Sequence, residues 1–343
     1  MRKEYILALL YGLKTRGIKG VGPKAVLKIA QSQASMSLAE NGGREDAAEL
    51  YACVRAGDAK LASGIDENVL AEALDAAYEL IDKSREKGIE LVGYGDENYP
   101  PGFYFACDGK GVKTPPPLFW YKGDIGVLSK PGVAVIGTRE PTPEGGKAGY
   151  YMGRIFAEKG FNVVSGLALG CDASAHSGAL AARGVTTAIL PSIVEPSEVM
   201  PRSHQRLAEE ILSSGGLLMS EYPLGHAVSK FDYVDRDRLQ AALAAAVIVV
   251  QSKYNGGSMH ASNAALKAQK PVYVLKYLSD KLNRSDITSG NRLLAERGAE
   301  FISGQEMKAG GAKIFEFILK KHEEQQARTL PVAKAKKQAG LPV

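Results

Sequence analysis

Three glycine-containing turns carry most of the polar chemistry that this sequence can offer. Gly137-Thr138-Arg139 follows one short apolar run, Ser165-Gly166 through Gly170-Cys171-Asp172 follows another, and Asn255-Gly256-Gly257-Ser258 follows a third. A glycine turn that opens a helix aims backbone N–H groups at one point, at the positive end of the helix dipole, and so suits phosphate. The same turn serves equally as a tight strand-to-helix junction, and spacing alone leaves both readings open. The second turn does not spell Gly-x-Gly-x-x-Gly, and no acidic residue follows at the spacing that reads a ribose. The strip Lys230-Phe231-Asp232-Tyr233-Val234-Asp235-Arg236-Asp237-Arg238 mixes rings with both charges. Rings beside cations are what single-strand binders use, bases stacking on rings and phosphates meeting cations; a salt-bridged surface loop has the same composition. Cys171 reads as a small core residue, because no base accompanies it, and His176 as a structural hydrogen-bonding residue. No catalytic residue, metal set or cofactor signature is assigned.

These residues need elements to hold them. From Pro131 onward short apolar runs alternate with helix-length segments: Val133–Ile136, Phe161–Ser165, Thr186–Leu190, Gly216–Ser220, Ala246–Gln251 and Pro271–Leu275. That rhythm predicts a mostly parallel sheet covered by helices on both faces, an extended Rossmann-like α/β fold. Such sheets bind ligands beyond the carboxyl ends of their strands, where all three turns would lie. Helices are expected over about 145–159, near Asp172 with that residue as cap, and over about 305–321. Residues 1–88 read as a small all-helical domain, with a helix from Asp66 ended by Gly88. Within it Gly20-Val21-Gly22-Pro23-Lys24 resembles a helix-hairpin-helix turn, in which Gly20 and Gly22 present amides to a phosphate and Lys24 adds charge; packing between two helices is the other reading. The α/β domain is expected over 89–321, and 322–343 as a basic, disordered tail.

Composition narrows the class. The 343 residues contain 43 Lys+Arg against 38 Asp+Glu, a formal net charge of +5. Six of the basic residues and two of the acidic ones fall from Lys320 onward, leaving a nearly neutral body. Overall charge therefore does not identify a partner. No apolar run reaches the ~18 residues of a membrane span, and the N-terminus reads as a first helix, not a signal peptide. Three scattered cysteines form no disulfide or zinc pattern and suit a reducing cytoplasm.

The order of motifs from Asp96 to Ala299 resembles the DprA/Smf family, the DNA-processing proteins of bacterial transformation. The resemblance runs through Asp96-Glu-Asn-Tyr-Pro100, Pro117-Leu-Phe-Trp-Tyr-Lys-Gly123, Val135-Ile-Gly-Thr-Arg139 and Ser165-Gly-Leu-Ala168 with Gly170, Asp172, Ala175 and His176. It continues through Ser220-Glu221, Arg236-Asp-Arg238, Gly257-Ser258, Ser289-Gly290-Asn291 and Gly298-Ala299. It implies a non-enzymatic protein that binds single-stranded DNA, protects it, dimerises and helps load a RecA-type recombinase. Carried onto this chain, Arg139, Lys230, Arg236 and Arg238 would meet phosphates. Ser165, Gly166, Gly170, Gly257, Ser258 and Asn291 would shape or donate to the site, and Phe231 or Tyr233 would stack.

The departures are local. Asp237 stands where the family has Asn, His260 and Ser262 fall within an altered Gly-Ser loop, and His204 replaces an expected Asn. They suggest a divergent branch, and a phage-defence or toxin–antitoxin component with a protein partner is the alternative. A nucleotide phosphoribohydrolase is disfavoured, because the glutamate its loop would need is absent; Glu221 is the nearest substitute base.

Overall fold

The computed structural model describes residues 1–14, 21–32, 44–309 and 311–327, and the chain divides into two compact units. The first unit takes in residues 1–99 and 116–120. Its helices are α1 (Lys3–Leu7, continued by a π-helical turn Ala8–Gly12), α2 (Pro23–Ser32), α3 (Arg44–Gly57), α4 (Ala59–Ala62) and α5 (Glu67–Arg85), followed by strand β1 (Glu90–Gly93). Asp66 caps α5 as expected, accepting the Val69 N–H at 2.9 Å. Leu70, Leu74, Ala77 and Ile81 form its buried stripe at the spacing the sequence announced. Asp46, itself buried, accepts hydrogen bonds from Arg2 at 3.0 Å and Tyr78 at 2.7 Å. Pro23 opens α2, Gly22 precedes it with open space around its α-carbon, and Lys24 is exposed. Gly20 lies outside the described residues.

The second unit takes in residues 100–115 and 121–328. Strand β2 (Leu118–Gly123) leads into it. The strands that follow are β3 (Gly132–Ile136), β4 (Asn162–Ser165), β5 (Thr186–Ile189), β6 (Leu217–Ser220), β7 (Ala246–Val249), β8 (Val272–Lys276) and β9 (Glu300–Ser303). Helices α6 (Pro143–Glu158), α7 (Cys171–Ala181), α8 (Gln205–Ser213), α9 (Lys230–Leu243), α10 (Ser258–Lys267), α11 (Asp280–Arg284) and α12 (Ser289–Glu296) connect them. Helices α13 (Gly304–Lys308) and α14 (Ala312–Ala327) follow β9. The expected single helix over 305–321 is thus two, and α14 continues past 321 into the segment read as tail.

These strands run in the order β6-β5-β4-β3-β7-β8-β9, and each pairing within the series is parallel. Strands β3 to β6 build outward in one direction, then the chain returns to lay β7 beside β3. The order therefore reverses between β3 and β7, and an open α/β sheet binds ligands at the carboxyl ends flanking such a switch. Strand β3 is buried along its whole length, as a central parallel strand must be. Val133 and Val135 pack with Met152 and Phe156 of α6, Ala175 and Ala179 of α7, and Phe315 of α14. By strand alternation Ala134 and Ile136 face the other side, where α9 and α10 pack on β3 and β7. Helices α6 and α7 meet through glycine notches: a Cβ on Gly153 would overlap the Ala175 carbonyl, and one on Gly178 the Tyr150 carbonyl. Among the described residues no helix is long and apolar enough to cross a membrane.

Candidate nucleic-acid interface

The turns after β3, β4 and β7 come together at the switch point, laced by backbone hydrogen bonds. The Thr138 N–H donates to Gln251 O at 2.7 Å, and the Cys171 N–H donates to Thr138 O at 3.1 Å. Gln251 also holds the start of α6, its side chain accepting the Thr142 N–H and donating to the Thr142 hydroxyl, both at 3.0 Å. Gly137 allows the β3 turn to lie this close, since a Cβ there would sit 2.6 Å from Cys171 Sγ. Gly170, with φ +79°, stands at the N-cap of α7, where a Cβ would overlap the Thr138 and Arg139 carbonyls. Cys171 is buried and its thiol is pushed up to about 12, chiefly by burial.

A crevice of about 680 Å³ opens above these turns. Its walls are the β3 turn with Arg139, one face of α9, and the loop from Ser252 to Ser258 with His260 beyond it. Helix α9 starts where it does because the Asp232 carboxylate accepts the Ser229 N–H at 2.7 Å and pairs with His226 at 2.8 Å. The strip Lys230–Arg238 is therefore helical, and helical geometry sorts its side chains by face. Lys230, Tyr233, Val234 and Asp237 recur at i, i+3, i+4 and i+7 and line the crevice. Arg139 is exposed at the rim with its guanidinium 5.0 Å from the Tyr233 ring centre, and Lys230 lies 5.3 Å from that of Phe231, which is 66% exposed. Neither cation has an ion-pair partner among the described residues. Opposite them, the N–H groups of Gly257 and Ser258 at the start of α10 have no acceptor among the described residues. Nothing lies within 4 Å of a Cβ placed on Gly257.

Other residues singled out by sequence are used internally. Arg236 is 3% exposed: its Nη1 donates to Ile189 O at 2.5 Å, and its Nε lies 3.2 Å from Asp237 Oδ1, close enough to pair but not aligned for a hydrogen bond. Arg238 is locked onto Glu221 by two bonds of 2.6 and 2.7 Å and onto Thr114 at 3.1 Å. That pairing also removes Glu221 as a free base. The Ser165 hydroxyl donates to Val135 O at 2.7 Å. Gly166 gives its N–H to Asp172 at 3.1 Å, and the amides of Ala168 and Gly137 also act on that carboxylate. The anion pocket of the second turn is thus filled by the chain's own Asp172, which sits inside α7 and is not its cap. Burial raises the Asp172 carboxyl despite Arg236 and these amides. Asn291 uses its whole amide on Ser252 N, Val250 O and Leu275 O, and so shapes the Ser252 loop. The Ser258 hydroxyl donates to Ser252 Oγ at 2.8 Å, leaving its backbone as the outward donor.

His176 is buried against Thr186 at 2.7 Å and held neutral, burial pulling its imidazole down to about 3. His204 fills the place of the expected Asn by bonding Leu167 O at 2.9 Å. Lys253 and His260 line the crevice without having been picked out as site residues. The signal for Lys253 was its position two residues after Gln251, on the same sheet edge as the glycine turn. A second cavity of about 260 Å³ adjoins the crevice through Arg139, Ala168, Tyr233 and Arg236, with Leu167, Leu190 and Val199 in its walls.

An open parallel sheet with a cation-rimmed crevice at its switch point defines a Rossmann-like α/β protein. Within that class, residues 90–309 match the family described as DNA recombination-mediator protein A, and the chain belongs to that family. It is 27% identical to Protein Smf of Synechocystis over 316 residues, 87% of this chain and 75% of that protein. It is 30% identical to DNA processing protein DprA of Bacillus subtilis over 192 residues, 56% of this chain and 62% of that protein. The X-ray structure of DprA from Streptococcus pneumoniae superposes with a TM-score of 0.64 at 24% identity, covering 90% of this chain and 98% of that one. DNA processing protein A from Helicobacter pylori, whose structure is described for its single-stranded DNA binding mode, gives 0.53 at 28% identity, over 69% of this chain and 96% of that one.

Proposed function

We propose that this chain binds single-stranded DNA along the switch-point crevice and holds the strand for a RecA-type recombinase, acting as a homodimer and without chemistry of its own. The observation that carries the reading is the pair of unpaired rim cations, Arg139 on Tyr233 and Lys230 on Phe231, facing the open amides of Gly257 and Ser258. Phosphates meet the cations and amides, and bases stack on the exposed Phe231 ring and beside half-buried Tyr233; a base-paired strand cannot offer its faces in this way. Arg236 and Arg238 support the site from behind. Family membership agrees with this role, and so does the single-stranded DNA binding described for the Helicobacter pylori relative.

The test is fluorescence anisotropy with matched single- and double-stranded oligonucleotides at several salt concentrations. Single-strand affinity should fall with salt, and Arg139→Ala and Lys230→Ala should each lower the log–log slope by about 0.7. Affinity that ignores salt, or that survives both substitutions unchanged, would overturn the proposal.

A further inference from the structure

At the crevice wall the Arg236 guanidinium lies 3.2 Å from Asp237 of its own helix, and the Asp172 carboxylate of α7, which also feels its charge, lines the same crevice. Ionisation of Asp237 adds one negative charge to this group at the crevice wall. Asp237 also lines the crevice, so an anion bound there lies close to its charge. We propose that Asp237 makes phosphate binding in this crevice proton-linked: the ligand binds as Asp237 takes up one proton, and affinity falls as that carboxyl ionises. The inference rests on the reading of the crevice as a phosphate site and adds to it the condition under which the site is open.

The groups facing Asp237 set the balance. Its own helix contributes Arg236, Lys230 and the Gln240 amide, which donates to Oδ1 at 3.0 Å. Helix α7 contributes Asp172, the β3 turn Arg139 and Glu140, the β7 loop Lys253 and helix α10 His260. Burial pushes the Asp237 carboxyl up to about 7, with Asp172 adding to the rise and Arg236 and Arg139 opposing it. An arriving phosphate is a further anion, so it favours the neutral acid. By linkage, whatever makes the ligand favour the proton makes the proton favour the ligand to the same degree. The proton comes from solvent and stays on the carboxyl oxygen. If the bound state keeps it throughout, affinity follows the neutral fraction of the free protein and drops roughly tenfold between about pH 6 and pH 8.

The experiment titrates the full chain with a labelled oligothymidylate at about pH 6, 7 and 8 and constant ionic strength, for wild type, Asp237→Asn and His260→Ala. Calorimetry in two buffers of different protonation enthalpy counts the protons taken up on binding. The expected result for wild type and His260→Ala is a roughly tenfold loss from pH 6 to pH 8, with proton uptake rising from about a tenth at pH 6 to about one at pH 8, and both effects absent in Asp237→Asn. Asparagine keeps the side chain's shape and neutral charge, and a native near-ultraviolet circular dichroism spectrum checks that variant's fold. A pH dependence shared equally by wild type and Asp237→Asn, or absent from both, overturns the inference alone. A dependence lost in His260→Ala also overturns it, since the linkage then belongs to that residue and not to Asp237. Absence of binding by wild type and Asp237→Asn at every pH overturns the phosphate-site reading and this inference with it.

Discussion

Gly166→Ala separates two roles that a glycine in this turn can play. If Gly166 serves as a backbone donor, alanine keeps the N–H and the substitution is nearly silent. The structure gives a different reason for glycine: a Cβ there would overlap the Arg236 guanidinium. Its backbone lies outside the left-handed region, so alanine adds no conformational strain. An exposed arginine would swing away without cost, but Arg236 is buried and its Nη1 bond to Ile189 O would be lost. A hydrogen bond from a charged donor is worth about 1.5–3 kcal/mol. Withdrawing the guanidinium also exposes Asp172 and Asp237 to each other, where breaking a buried pair costs ~3–5 kcal/mol. Protonation of Asp237 relieves part of this, and the smaller unfolded-state entropy of alanine returns ~0.4–1 kcal/mol. The net expectation is about 3 kcal/mol, or a fall in Tm of roughly 6–12 °C for a unit of this size. Thermal melting followed by circular dichroism measures it, with Gly257→Ala as a control whose Cβ meets nothing within 4 Å. A Gly166→Ala variant melting within about 2 °C of wild type would refute the argument that Arg236 is pinned.

Three further expectations follow from the same structure. Gly178→Ala should lower Tm more than exposed alanine substitutions do, because its Cβ meets the Tyr150 backbone carbonyl and α6 and α7 must separate, at ~3 kcal/mol; an unchanged melting curve would count against the notch. Asp237→Asn should stabilise the protein at about pH 8 and progressively less toward pH 5. The folded carboxyl titrates near 7, above its unfolded value, so its contribution is fully present below the unfolded pKa, declines as pH rises, and is gone above about 7. Melting temperatures of both forms across pH test this sign. Cys171 should resist a thiol-reactive disulfide reagent in the native protein and react on unfolding, since its thiol is buried and ionises only near 12; rapid native labelling at that position would contradict it.

Much of the architecture could be read directly from the chain. Short continuous apolar runs and period-3.6 apolar patterns depend only on nearest neighbours along one element, so β3, β4, β7 and α5 emerged within a residue or two. The three glycine turns also fell on one sheet edge as parallel α/β topology requires. The strip from Lys230 to Arg238 was harder to interpret, because nine consecutive residues look like one patch while a helix turns each by about 100°. Helix α9 sends Arg236 inward and Arg238 toward Glu221, and leaves Lys230 and Tyr233 in the crevice.

The sequence alone determined the family, the alternating α/β order and the edge at which a ligand would sit, because motif order and short-range periodicity are written in one dimension. Only the tertiary structure decided which polar groups remain for that ligand. Asp172 fills the amides of one glycine turn, Glu221 neutralises Arg238, and Asp237 reaches Arg236, while Arg139, Lys230 and the α10 amides stay open. Whether a charge is available is a property of its three-dimensional neighbours. Those neighbours, such as Gly166 and Ile189 against Arg236, stand 70 and 47 positions away along the chain.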